Sequence, residues 1–120
     1  MNRVTPYAMT SAAIQQNPGM MMHNDEPLIG AEEDYEARQS IELTHEQARL
    51  SPDVIGEIAW GAYQNIDENR LCPDKGRSMM MGDLVLVEVN GKKPVWMIVA
   101  AMGFENVTRL IADRDLVSSS

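Results

Sequence analysis

Cysteine occurs once in this chain, at Cys72, so no disulfide can form within it and a reducing, intracellular setting is the expectation. Histidine occurs twice, at His23 and His45, which leaves little material for acid–base or metal chemistry. Cations are scarce as well: ten Lys and Arg stand against eighteen Asp and Glu, for a net charge of −8 and a pI near 4.6. That balance argues against direct nucleic-acid binding, because affinity for a phosphate backbone comes from Lys and Arg displacing counterions. No stretch approaches the roughly 20 apolar residues of a spanning helix. The first residues, interrupted by Pro6, also lack the continuous apolar segment of a secretory signal. A soluble, cytoplasmic protein with no membrane attachment is expected.

What is present is a hydrophobic fraction of 44% in 120 residues, enough for one domain with a modest core. Its acidity is uneven. Residues 1–60 hold ten acids against Arg3, Arg38 and Arg49, which leaves −7 of the net −8 in that half. From residue 1 to 38 no apolar period of 3.6 or 2 persists, and the stretch reads as a flexible acidic arm. An alternative for part of it is a short docking helix over Tyr7 to Gln16. The Met20-Met21-Met22-His23 run has soft-metal donors but no second ligand cluster, so it reads as polar tail. Glu32, Glu33, Asp34 and Glu36 form a charge run, ordinarily a solvated face, whose functional reading is a patch for a basic partner.

Beyond the arm, residues 39–112 read as a small α+β domain and 113–120 as a polar tail. Ser40 to Thr44 alternates as a short strand would, whereas Glu46 to Leu50 prefers helix. The clearest helix starts at Ser51: a capping hydroxyl, Pro52 at the first helical position and Asp53 at the positive end of the dipole. Ile55, Ile58, Ala59, Ala62 and Ile66 share one side, and Trp60 lies at its margin. Gly56 and Gly61 within it suggest close approach by another backbone, or tolerance of a marginal helix. A connecting loop follows over residues 65–75.

A hairpin comes next. Val85, Val87 and Val89 fall on one face of its first strand and Leu84 and Leu86 on the other. Asn90-Gly91 marks the turn, and Val95 to Met102 is apolar on both faces, as a central strand would be. Asn106 to Ile111 reads as a short third strand. The expected architecture is one main helix packed on a small antiparallel sheet, the hairpin plus that third strand, behind the arm. Gly76, Gly82, Asp83 and Gly103 read as structural turn residues, with Gly82 at positive φ and Asp83 bonding back to nearby amides.

The run Gly76-Arg77-Ser78-Met79-Met80-Met81-Gly82-Asp83-Leu84-Val85, followed by Gly103-Phe104-Glu105-Asn106-Val107, resembles the small YodL-like domain of bacterial genomes and their mobile elements. That family's signature runs Gly-Arg-Ser-Leu-Ser-Val-Gly-Asp-Val-Val and closes on Gly-Phe or Gly-Trp. The helix ending Ala62-Tyr63-Gln64-Asn65 is similar to the family's preceding helix, and the resemblance covers about residues 51–111. Met79, Met80 and Met81 depart from Leu-Ser-Val, chiefly at the middle, normally polar position. The resemblance implies an accessory protein of a phage, plasmid or other mobile element that acts by contact with a host or element protein.

For function, the reading is a non-enzymatic protein-interaction module with no cofactor and no metal. Its candidate contact residues are Glu32, Glu33, Asp34, Glu36 and Trp60. A sharper version is an inhibitor of a host defence or nucleic-acid-processing protein, its acids occupying a basic groove. Catalysis would need a base beside a nucleophile, and Cys72 has no histidine neighbour. A nucleic-acid-associated regulator would have to rely on Lys75, Arg77, Lys92 and Lys93 gathered at the hairpin ends. The protein partner carries no identity in the sequence, and a homodimer stays open.

Overall fold

The computed structural model describes residues 2–16, 32–66, 69–70, 77–100 and 103–112. Its elements are β1 (Arg3–Met9), α1 (Ser11–Gln16), a 3₁₀ turn (Glu32–Asp34), β2 (Tyr35–Ala37), β3 (Ile41–Glu42), α2 (His45–Ala48), α3 (Pro52–Ala62), β4 (Asn65–Ile66), β5 (Asn69–Arg70), β6 (Leu84–Glu88), β7 (Val95–Ala100), β8 (Gly103–Asn106) and α4 (Thr108–Ala112). The α+β class holds, but the sheet is larger than a hairpin with one added strand. Six antiparallel strands join in the order β2-β1-β6-β7-β8, with β3 pairing β1 as well, and β4 and β5 form a separate two-stranded ribbon.

The largest correction concerns the expected arm. Arg3–Met9 is an interior strand: Tyr7 pairs with Leu84 and Arg3 with Glu88 of β6 on one side, and β2 and β3 pair along the other. Residues 17–31, including Met20 to His23, lie outside the described residues. Pro6 explains how a strand with a proline can sit inside a sheet. Its carbonyl accepts the Arg38 amide at 2.8 Å, so its nitrogen, which has no hydrogen, faces that same edge. There the ladder is already interrupted between β2 and β3.

Both faces of the sheet are covered. On one, α3 packs Ile55, Ala59 and Tyr63 against Val4, Val85, Val87, Met97 and Val99. On the other, Met9, Tyr35, Leu84, Trp96, Ile98, Val107 and Ile111 pack together, with Ile14 of α1 against them. The alternation expected along the hairpin is thus realised, and Trp96 is core, its ring 4.8 Å from that of Tyr7. The helix is realised over Pro52–Ala62, so Ile66 falls beyond it in β4, and its cap is changed. Ser51 takes the extended N-cap conformation without bonding an amide of the first turn. Its hydroxyl instead bonds the Asp53 carboxylate, which is the leading cause of that group's lowered pKa.

Gly56 and Gly61 differ. A methyl at Gly56 would stand 3.0 Å from the Phe104 ring, so the close approach is by a side chain, whereas nothing lies within 4 Å of such a methyl at Gly61. The expected third strand over 106–111 is also corrected: the strand is Gly103–Asn106, and Thr108–Ala112 is helical. Asn106 Oδ1 accepts the Thr108 amide at 3.0 Å, which starts a helix where β-branched residues alone suggest extended chain. Within the expected 65–75 loop, Asn65–Ile66 and Asn69–Arg70 are paired strands; residues 71–76, with Cys72, Lys75 and Gly76, lie outside the described residues.

Candidate functional site

Gly82 and Asp83 build the tightest local structure. Asp83 donates its amide to the Met80 carbonyl at 3.1 Å, closing a four-residue turn with Gly82 at φ 98° in its third position. The Asp83 side chain is fully buried. Its Oδ2 accepts the Met80 amide at 3.0 Å and its Oδ1 the Met9 amide at 3.0 Å. Arg77 supplies a two-pronged partner, at 3.0 Å to Oδ2 and 2.9 Å to Oδ1, and the same guanidinium donates to the Met9 carbonyl at 3.1 Å and the Ser78 carbonyl at 2.8 Å. Both backbone groups of Met9 are therefore held by one ion pair, which clasps the end of β1 to the turn before β6. The bond from Asp83 to a nearby amide was legible in the sequence; the Arg77 fork and the reach to Met9 were not.

Of the four cations expected to gather, Lys75 lies outside the described residues and the other three are placed. Arg77 is engaged with Asp83 just before β6 begins, and exposed Lys92 and Lys93 follow its far end. They do not gather into one patch. Among the described residues, no three His, Cys, Asp or Glu side chains stand close enough to hold a metal ion, and no helix is long and apolar enough to cross a membrane. His45 is exposed in the first turn of α2, where Thr44 forms a capping box with Gln47.

An apolar hollow of about 320 Å³ lies between α3 and β8. Trp60, Met81, Val99 and the Phe104 ring line it, Gly103 forms one lip, and Glu57 stands on its rim. Trp60 and Phe104 are half-buried, each with one side on the core. Gly56 allows this arrangement, since without a Cβ it lets the Phe104 ring rest on α3. Gly103, at φ 108°, starts β8 in a conformation that suits glycine.

Beside the hollow runs an open backbone edge. The Val107 amide donates to the Trp96 carbonyl at 2.8 Å, and the register continues through Ile98–Glu105 and Ala100–Gly103. In an antiparallel ladder the bonded residues alternate, so Gly103 and Glu105 face β7 while Phe104 and Asn106 turn their backbone groups outward. Among the described residues no strand pairs with that outer edge.

The candidate contact residues fall at opposite edges of the sheet. Glu33 and Glu36 are exposed, in the 3₁₀ turn and in β2, with Asp34 between them half-buried. Glu32 begins that 3₁₀ turn. Trp60 belongs to the hollow at the β8 edge, four strands away. No single surface unites them. Phe104, Met81 and Glu57 complete the hollow, of which the sequence singled out Trp60 and, as a helical glycine with a close neighbour, Gly56. Comparison with known proteins returned no matching family model, no matching curated protein and no matching solved structure.

Proposed function

We propose that this chain is a non-enzymatic protein-interaction module, an accessory protein of a phage, plasmid or other mobile element that works by binding another polypeptide. The observation that carries this reading is the hollow of Trp60, Met81 and Phe104 beside the open edge of β8. Half-buried aromatic and methionine side chains next to unpaired backbone groups suit a polypeptide ligand. The backbone supplies hydrogen bonds, the hollow takes an apolar anchor, and aromatics and Met are enriched at such contacts. The test is capture of a partner by the tagged chain in extract of its host. Trp60→Ala is expected to reduce the captured partner about tenfold while lowering the melting temperature but keeping a cooperative unfolding transition. Undiminished capture would remove the hollow from the reading.

A second reading, inhibition of a host protein through an acidic surface, is favoured by the exposure of Glu33 and Glu36 at the other edge. It predicts that charge reversal at Glu33 and Glu36 abolishes capture while Trp60→Ala does not. Deleting residues 1–38 would not discriminate, because it removes β1 from the sheet.

A further inference from the structure

We infer that the hollow between α3 and β8 takes a basic side chain, lysine or arginine, of the partner polypeptide. Its aliphatic stem lies against Met81 and Val99, and its cationic head sits beside Glu57 and the rings of Trp60 and Phe104. This inference rests on the reading of the hollow as a protein contact and names what that contact recognises.

The charge of the lining comes first. Glu57 is the one charged side chain among the described residues that line the hollow, and it is exposed. Among the described residues no cation pairs with it. One turn further along α3, where a helical lysine or arginine would reach back to such a carboxylate, stands Gly61, and nothing lies within 4 Å of a methyl built there. The exposed cations Lys93 and Arg109 line a different hollow. The carboxylate is thus left to an incoming charge, and the net charge of −8 draws basic segments toward the chain as a whole.

The rings select in the same direction. Trp60, three residues after Glu57 and so on the same side of α3, is half-buried, as is Phe104, and the open face of an aromatic ring attracts an ammonium or guanidinium group. Met81, Val99 and Ala100 make the remaining wall apolar, which suits the methylene stem of a long basic side chain. A volume of about 320 Å³ stands at the low end for ligand pockets and fits one such side chain. A purely apolar anchor would fill the same space but cover the Glu57 carboxylate without pairing it. An acidic anchor would be repelled by that carboxylate and by the ring faces.

The experiment titrates the intact chain with capped tripeptides that carry valine at both ends and arginine, lysine, norleucine or glutamate between. Binding is followed by indole emission, in which buried Trp96 is a constant background, and by the Met81 methyl resonance. The two basic peptides are expected to bind about tenfold more tightly than the norleucine peptide, and the glutamate peptide more weakly than all of them. Glu57→Gln, at an exposed position, should remove most of that preference and leave norleucine affinity nearly unchanged. Norleucine binding as tightly as both basic peptides overturns the inference. So does a preference that Glu57→Gln leaves intact, or the absence of binding by either basic peptide up to about 10 mM. Partner capture that is still lost on Trp60→Ala, when norleucine and basic peptides bind alike, leaves the interaction reading standing and removes the cation alone.

Discussion

Four hydrogen bonds converge on the Asp83 carboxylate, two from amides and two from Arg77, and none of its surface reaches water. Removing its charge alone would leave Arg77 beside a neutral group and turn one amide donor toward another. Asp83→Asn should therefore cost about 3 kcal/mol in urea unfolding, the lower end for a broken buried pair because Arg77 remains about one-third exposed. Replacing both partners with apolar residues should cost less than Asp83→Asn alone. The neighbouring Gly82 sits at φ 98°, where a β-branched side chain is strained. Gly82→Val should lose roughly 2 kcal/mol, and an unchanged melting temperature would contradict the turn. Gly82 and the Asp83 bond to Met80 were readable in sequence because they act on atoms within three residues. The Arg77 bond to the Met9 carbonyl spans 68 positions and left no local trace.

Among the elements, α3 separates two roles that one residue type plays. Alanine at Gly61 meets open space, so Gly61→Ala should add about 1 kcal/mol from helix propensity alone. At Gly56 the same methyl presses on the Phe104 ring, so Gly56→Ala should bring no gain and should shift β8 resonances in a spectrum while Gly61→Ala leaves them in place. Equal stabilisation by both would show that the ring yields freely. The elements best foreseen, α3, β6 and β7, are those with a local apolar pattern: apolar side chains on both faces of the two strands and a 3.6-residue stripe after Pro52. Those missed had that pattern overruled. In β1, Pro6 and Thr5 break the apolar pattern; in α4, Asn106 caps a run whose branched residues favour strand.

For the whole molecule, the decisive fact is that the sheet's interior includes its earliest residues. A chain lacking residues 2–9 would lose the strand between β6 and the β2/β3 edge and expose a row of unpaired groups on β6. It should show no cooperative thermal transition and should aggregate, whereas a merely dangling arm could be removed without effect on the melting curve. The charge asymmetry legible in composition is real, yet its described members divide between β1, β2, β3, the 3₁₀ turn, α2 and α3. Charge totals report how much, never where. The separation of Glu33 and Glu36 from Trp60 is a property of strand order, which joins residues 85 positions apart, such as Arg3 and Glu88.

That strand order also sets a clock. On a ribosome β1 is made before any other strand, but the residues it pairs with in β6, Leu84 to Glu88, are among the last of the described chain to be made. During synthesis Arg3–Met9 can meet β2 and β3 early, but its β6 edge stays unpaired until Leu84 to Glu88 are made, and the Arg77–Asp83 clasp that secures Met9 is completed only then. Completion of the sheet therefore awaits β6, and folding is slow for the domain's size because its central pairing is long-range.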